Sequence, residues 1–313
     1  MVLTRRSALH LAAATSLAAT AGCASLSSLG SDEPKPEYTL DVDRIDASPV
    51  EHALYDPGDD GLFGEPARTA LDAILPEGRH TTYGYEPLPE GAYVRRGETY
   101  YQTESVVTGR ERMERRLVRV ESVPDADVPD DPLHVDDLDR PSARAVKILH
   151  SNAVSGGASG ATDLLRGDAY VLRRPAELES RLATGDLDGR IVSMTEDGGW
   201  AYRVQVTRER IQETAHTALA VEVADGRSAF REVVFGSRID AELAPSALTD
   251  GERAVLEQAV SRGRYVETAP RSSDFDGVLN ALGLASVDTA ETGQLLWYDG
   301  ELYRYGLYVN DSP

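Results

Sequence analysis

The sequence predicts an α+β protein of three related units, each a helix or two packed on a small antiparallel sheet that ends in a β-hairpin. Three observations predict it. Aligned on Gly-x-x-Tyr, the turn glycines Gly97, Gly199 and Gly300 recur at intervals of 102 and 101 residues. Aromatic and β-branched residues flank each one, as in Ala92-Tyr93-Val94 before Gly97, Ile191-Val192 before Gly199, and Leu296-Trp297-Tyr298 before Asp299-Gly300. Upstream of each hairpin lies a stretch with helical apolar spacing. A two-residue hairpin turn needs φ > 0 at both central positions, so Asp299-Gly300 is a strong turn signal. One helix and one hairpin each have an apolar face that only packing together can bury.

The units are bounded at 38–123, 124–224 and 225–313. Arg44-Ile45-Asp46-Ala47 recurs as Arg238-Ile239-Asp240-Ala241, followed by Ala53-Leu54 and Ala247-Leu248. In the first unit Ala70, Leu71, Ile74 and Leu75 share a helix face, and Val255, Leu256, Ala259 and Val260 repeat that spacing in the third. Thr249 and Glu252 form a capping-box pattern ahead of the third helix. The middle helix spans Ser142 to Val154, its face ambiguous by one residue. After each helix comes a strand: Arg166-Gly167-Asp168-Ala169-Tyr170-Val171 parallels Arg262-Gly263-Arg264-Tyr265-Val266, and the first unit keeps Gly78-Arg79-His80. A second short helix is predicted at Pro175–Ala183 and at Phe275–Leu282. Pro87-Leu88-Pro89 breaks it in the first unit.

Ahead of the units stands a different kind of segment. Thr4-Arg5-Arg6-Ser7 opens an alanine-rich run that closes on Thr20-Ala21-Gly22-Cys23. A basic start, a short apolar centre and small residues before a cut are the parts of a secretory signal. A membrane span wants ~20 mostly large apolar residues, which this run lacks. It resembles a twin-arginine export signal joined to a lipoprotein cleavage box, and the whole chain resembles a haloarchaeal surface lipoprotein. The resemblance implies a signal peptide over 1–22 with Arg5 and Arg6 as its export pair, lipid on Cys23, and the membrane's extracellular face as location. Residues 23–37, rich in Ser, Pro and Gly, then read as a tether. Cys23 is the single cysteine of the chain, so an intrachain disulfide is excluded.

Composition bounds the partners. The formal charge is −21, from 53 acids against 32 bases, and removing 1–22 takes away two arginines and no acid. Such a surface repels nucleic acid and anionic membrane. At molar salt the Debye length is ~3 Å, so self-repulsion is screened. Lys35 and Lys147 are the only lysines, a halophile-like bias. The runs Asp56–Asp60 and Asp130–Asp137 read as solvated loops, because neither has the oxygen spacing and closing glutamate of a calcium loop.

Candidate sites are few. His52, His80, His134, His150 and His216 form no helical ligand pair, and a thiolate zinc site needs more than one cysteine. His150 reads as a structural histidine on the middle helix. The stretch Ser155-Gly156-Gly157-Ala158-Ser159-Gly160-Ala161 matches neither a nucleophile elbow nor a phosphate loop. Carboxylate pairs are too numerous to single out an acid and base, so no catalytic residue, metal or cofactor is assigned. Fourteen tyrosines against four phenylalanines favour half-exposed sheet faces. Cross-strand packing within the hairpins is the reading favoured for the hairpin aromatics; if any surface binds a partner, a surface protein or a glycan, the candidate is their aromatic face, with Tyr93, Tyr100, Trp297 and Tyr303. The function expected is a membrane-anchored binding or structural module. The alternatives are an extracellular hydrolase and the solute-binding component of a transporter.

Overall fold

A computed structural model of the chain describes residues 35–157, 163–195 and 200–310. Arg5, Arg6 and Cys23 lie outside these, as do Gly198 and Gly199 of the middle turn and residues 158–162 of the glycine-serine stretch. The fold is mixed α/β, with two open sheets.

The smaller sheet has five strands in the order β10-β12-β13-β1-β11. Its hairpin joins β12 (Ala290–Tyr298) to β13 (Glu301–Asn310), with Tyr298 opposite Glu301. Asp299 (φ 48°) and Gly300 (φ 80°) make the tight turn that the sequence predicts. β1 (Glu37–Ile45) runs antiparallel between β13 and β11 (Arg264–Thr268), pairing Leu40 with both Leu307 and Tyr265. At one edge β10 (Ala241–Leu243) pairs parallel with β12. Alternation puts Leu40, Val42, Leu296, Tyr303, Tyr305 and Leu307 on one face. That face packs on α7 (Asp250–Arg262) and α8 (Ser273–Ala281) through Val255, Leu256, Ala259, Phe275, Val278 and Leu279. The Thr249–Glu252 capping box forms as expected, and α7 ends on Gly263 at φ 78°.

The larger sheet contains β5-β8-β9-β4-β7-β6, with β2 added on β9 and β3 on β4. Its spine is a pair of 24-residue strands, β4 (Thr99–Ser122) and β9 (Ala201–Ala224), antiparallel from Tyr100↔Ala224 to Ser122↔Tyr202. A register shift between Val107 and Gly109 breaks the pairing near the middle. One end of the ribbon carries β3 (Tyr93–Arg96), hairpinned to β4, and β2 (His80–Tyr83), antiparallel to β9. The other end carries β8 (Ile191–Ser193) on β9, β7 (Ala169–Leu172) on β4, β6 (Leu165–Arg166) on β7, and β5 (Leu133–His134) parallel to β8.

Helices cover both ends. α2 (Gly64–Ile74) buries Ala67, Ala70 and Ile74 against Leu88 and Ala218. α3 (Arg140–Val154) starts where the Asp139 carboxylate accepts from the Ser142 backbone, and buries Ala145, Val146 and Leu149. The turns α4 (Pro175–Leu178) and α5 (Arg181–Thr184) follow β7. α1 (Pro49–Ala53) is fixed by a Ser48–Glu51 capping box and lies beside α6 (Arg227–Ser237).

Two expectations need correction. Arg44-Ile45 ends a central antiparallel strand, whereas Arg238-Ile239-Asp240 leads into the parallel edge strand β10, so the matching tetrapeptides are not structural equivalents. Segments 38–123 and 124–224 also do not carry separate small sheets. β4 and β9 continue past their hairpins and pair with each other, merging the two. α6, which the sequence pattern left unread, buries Phe230 and Val234.

Candidate functional site

The expected aromatic face is closed. Tyr93, Tyr100 and Tyr303 are only 4 %, 2 % and 6 % exposed. Tyr100 stacks on Phe230 of α6, ring centroids 4.2 Å apart and planes 10° off parallel, and Tyr93 meets the same ring edge-on at 5.2 Å. Trp297 is half-buried, edge-on to Phe235 at 5.7 Å and beneath the Arg231 guanidinium. Tyr93 and Tyr100 serve the core because α6 lies over their hairpin, and Tyr303 because its sheet face packs on α7 and α8. The burial of Tyr93, Tyr100 and Tyr303 agrees with the packing reading and does not support the alternative of an open recognition surface. His150 is structural as expected, its Nδ1 2.8 Å from the Tyr202 hydroxyl.

A polar cleft opens instead at the middle of the ribbon, where β2, β4, β7 and β9 converge. Along β9 the alternating residues Ile211, Glu213, Ala215 and Thr217 point inward and are buried. Glu213, only 3 % exposed, sits in this row as its one charge. Its Oε1 accepts from Arg115 Nε at 3.2 Å and from Arg173 Nε at 2.9 Å. Arg115 comes from β4 and also donates to the Tyr83 carbonyl at 3.1 Å. Arg173 follows β7 and reaches the carbonyls of Asp163 and Leu164. Gly84, at φ 77°, lets the chain turn directly over this pair, where a Cβ would collide with both Arg173 and Glu213.

Arg173 separates two lobes. The larger, about 610 Å³, is lined by Tyr85, Glu86, Arg174, Gln212, Glu213 and His216 among others. His216 Nδ1 lies 3.1 Å from Glu86 Oε1, out of line for a hydrogen bond. The smaller, about 290 Å³, is lined by Glu65, Thr69, His80, Thr81, Thr82, Tyr83, Tyr85 and Arg115. Burial pushes the Tyr85 hydroxyl above its ordinary pKa, so it stays a proton donor at neutral pH.

Behind Arg173 lies a second buried carboxylate. Glu177, 1 % exposed, accepts from the Tyr170 hydroxyl at 2.6 Å and from the Arg173 and Arg174 backbone amides at 2.8 and 2.9 Å. The Arg144 and Arg174 guanidiniums stand 3.7 and 3.6 Å away. Both stack over the Phe63 ring, and Arg174 also covers Tyr85. Four arginines thus surround two buried carboxylates.

Another cleft, about 410 Å³, lies where α1 and α6 meet the smaller sheet, with Pro49, His52, Leu54, Val234, Arg238 and Leu302 in its walls. It is chiefly apolar. Burial first, then the positive field of Arg304, holds His52 below the ordinary imidazole pKa. Arg238 is engaged, donating to the Gly91 carbonyl at 2.7 Å and lying over the Tyr93 ring. Among the described residues there is no cluster of His, Cys, Asp and Glu suited to hold a metal ion, and no helix long and apolar enough to cross a membrane. Compared with protein-family models, curated proteins and solved structures, the chain has no match.

Proposed function

We propose that the chain is an exported, lipid-anchored module of the extracellular membrane face that binds a ligand in the polar cleft around Arg173. The observation that carries the anchor is Arg5-Arg6 followed by Ala21-Gly22-Cys23, with that cysteine the only one present. The described body suits such a tether. Its first strand begins at Glu37, a short peptide's length after Cys23. Binding is the activity favoured because Arg115, Arg173, Arg174 and Glu213 line a recessed, charged cleft.

Three related units remain the reading of the architecture. Three times a short segment pairs parallel with the first strand of a later hairpin: Leu54 with Tyr93, β5 with β8, β10 with β12. Three times a helix and a strand intervene. Tyr100, Tyr202 and Tyr303, each three residues past a turn glycine, are all buried. An experimental structure in which these hairpins and their parallel partners do not superpose would remove the triplication.

A hydrolase is the second reading, and the 3.1 Å approach of His216 to Glu86 in the larger lobe favours it. Mass spectrometry of the protein from a halophilic archaeal host tests the anchor. The expected product begins at Cys23 with lipid attached, and Cys23→Ser releases the protein to the medium. Recovery of an unprocessed chain, or of a Cys23→Ser variant still membrane-bound, would overturn the reading. Loss of a candidate hydrolytic activity in His216→Gln, with binding retained, would favour the second reading over the first.

A further inference from the structure

We propose that the cleft around Arg173 binds a small acidic sugar, its carboxylate held by Arg115 and Arg173 and its ring in the smaller lobe. The inference rests on the reading of this cleft as a binding site and is independent of the lipid anchor.

Charge carries the first part. At the floor of the cleft the Glu213 carboxylate is shared by the largely buried side chains of Arg115 and Arg173, leaving one positive charge there without a buried counterion, while Glu65, Glu86 and Asp163 are exposed around the lobes. Buried charge is costly unless paired, so this interior favours an anion. Arg115 and Arg173 line the lobes, whereas Arg144 lies behind them against Tyr170, at 2.5 Å. Each of the two lobe arginines has its Nε on Glu213 and one terminal nitrogen on a backbone carbonyl. Among the described residues no hydrogen bond is assigned to the other terminal nitrogen of either, and both side chains line the smaller lobe. Two guanidinium groups from separate segments of the chain suit the two oxygens of a carboxylate.

Lining and size carry the second part. The smaller lobe offers the Thr69 hydroxyl, the His80 ring and the Glu65 carboxylate beside the arginines. A mixture of donors and acceptors around a charged floor matches a ring bearing several hydroxyls better than a bare inorganic anion. At about 290 Å³ the lobe lies at the small end of small-molecule sites, ~300–1,000 Å³, which suits one sugar ring. Glu65, Glu86 and Asp163 at the mouths repel extended polyanions, so a single acidic residue is selected over a nucleic acid.

The test is calorimetric titration of the full chain in molar potassium chloride, with D-glucuronate and D-galacturonate as probes. Acetate, sulfate and the neutral sugars D-glucose and D-galactose are the comparators. We expect saturable binding of an acidic sugar, at least about ten-fold tighter than its neutral counterpart or acetate. Arg173→Gln should weaken it by about ten-fold or more. Because Arg173 also holds Glu213, a second measurement keeps the wild-type fold: the Nε–H resonances of Arg115 and Arg173 should shift on titration. Thr69→Ala, outside the arginine network, should weaken the sugar while leaving acetate unchanged. Absence of binding, equal binding of neutral sugars, equal binding of acetate, or shifts confined to other residues would each overturn the proposal. Loss of the lipid anchor would leave these results untouched, which separates the two claims.

Discussion

Phe230→Ala is the sharpest test of how the hairpin tyrosines are used. Phe230 is fully buried, stacks on Tyr100 at 4.2 Å and meets Tyr93 edge-on at 5.2 Å. Phe→Ala in a packed core costs ~3–5 kcal/mol, from lost transfer energy and the cavity left behind. Each aromatic pair contributes ~0.5–1.5 kcal/mol beyond its area, which places this site in the upper half, about 4–5 kcal/mol. Phe230→Leu keeps most of the volume and loses both ring pairs, so about 1–2.5 kcal/mol is expected. Urea unfolding at constant molar salt measures both, read as a shift in midpoint with the slope unchanged. An alanine variant within 1 kcal/mol of the parent would mean that α6 does not seat on the hairpin. The tyrosines would then be free for recognition.

Two further outcomes probe the charged interior. Glu213→Ala leaves Arg115 and Arg173 buried without their shared acceptor, and breaking a buried pair in this way costs ~3–5 kcal/mol; Glu213→Gln, which keeps an acceptor oxygen, should lose less. Unfolding midpoints of both variants within about 0.5 kcal/mol of the parent would mean the cluster is solvated and carries no surplus charge. His52 is held below its ordinary value of 6.5, by burial and then by Arg304, so the folded state favours its neutral form. Stability from this group is complete above the unfolded value and is lost as pH falls through the lowered folded one. The melting temperature should therefore drop more between pH 7 and pH 5 in the parent than in His52→Gln, and parallel curves would contradict the assignment.

Local patterns were legible where one helix or one turn decides the outcome. Thr249 and Glu252 named a capping box, Asp299-Gly300 a tight turn, and Ala70 with Ile74 a helix face, since each depends on neighbours within a few residues. The tetrapeptide match of Arg44–Ala47 to Arg238–Ala241 misled because identity over four residues does not fix which strand is paired. The partner of Tyr93 and Tyr100 was not legible for a related reason: α6 shows the apolar spacing Ala229, Phe230, Val233 and Val234, but that spacing does not say which hairpin the helix covers. The cleft was hidden because Arg115, Arg173 and Glu213 are far apart in the chain. One signal was present. Glu213 occupies an inward position of the alternation Ile211-x-Glu213-x-Ala215, and a carboxylate in a buried row calls for a basic partner.

The long strands explain why three units, on the proposed reading, do not separate into three sheets. In each unit a strand lies between the second hairpin strand and the strand after the helix, and in no case does the same hairpin supply it. β1 fills that place beside β13 and β11, although it stands at the start of the first unit in the chain. The far end of β4 fills it between β9 and β7, and the far end of β9 fills it between β4 and β2. Without the inserted strand each hairpin would be left with an unpaired edge, and an isolated hairpin is marginal in water. Exchange of strands therefore makes each unit's sheet depend on chain from outside it. The same exchange builds the cleft, because Arg115 and Glu213 face each other only where β4 and β9 have both run beyond their own hairpins.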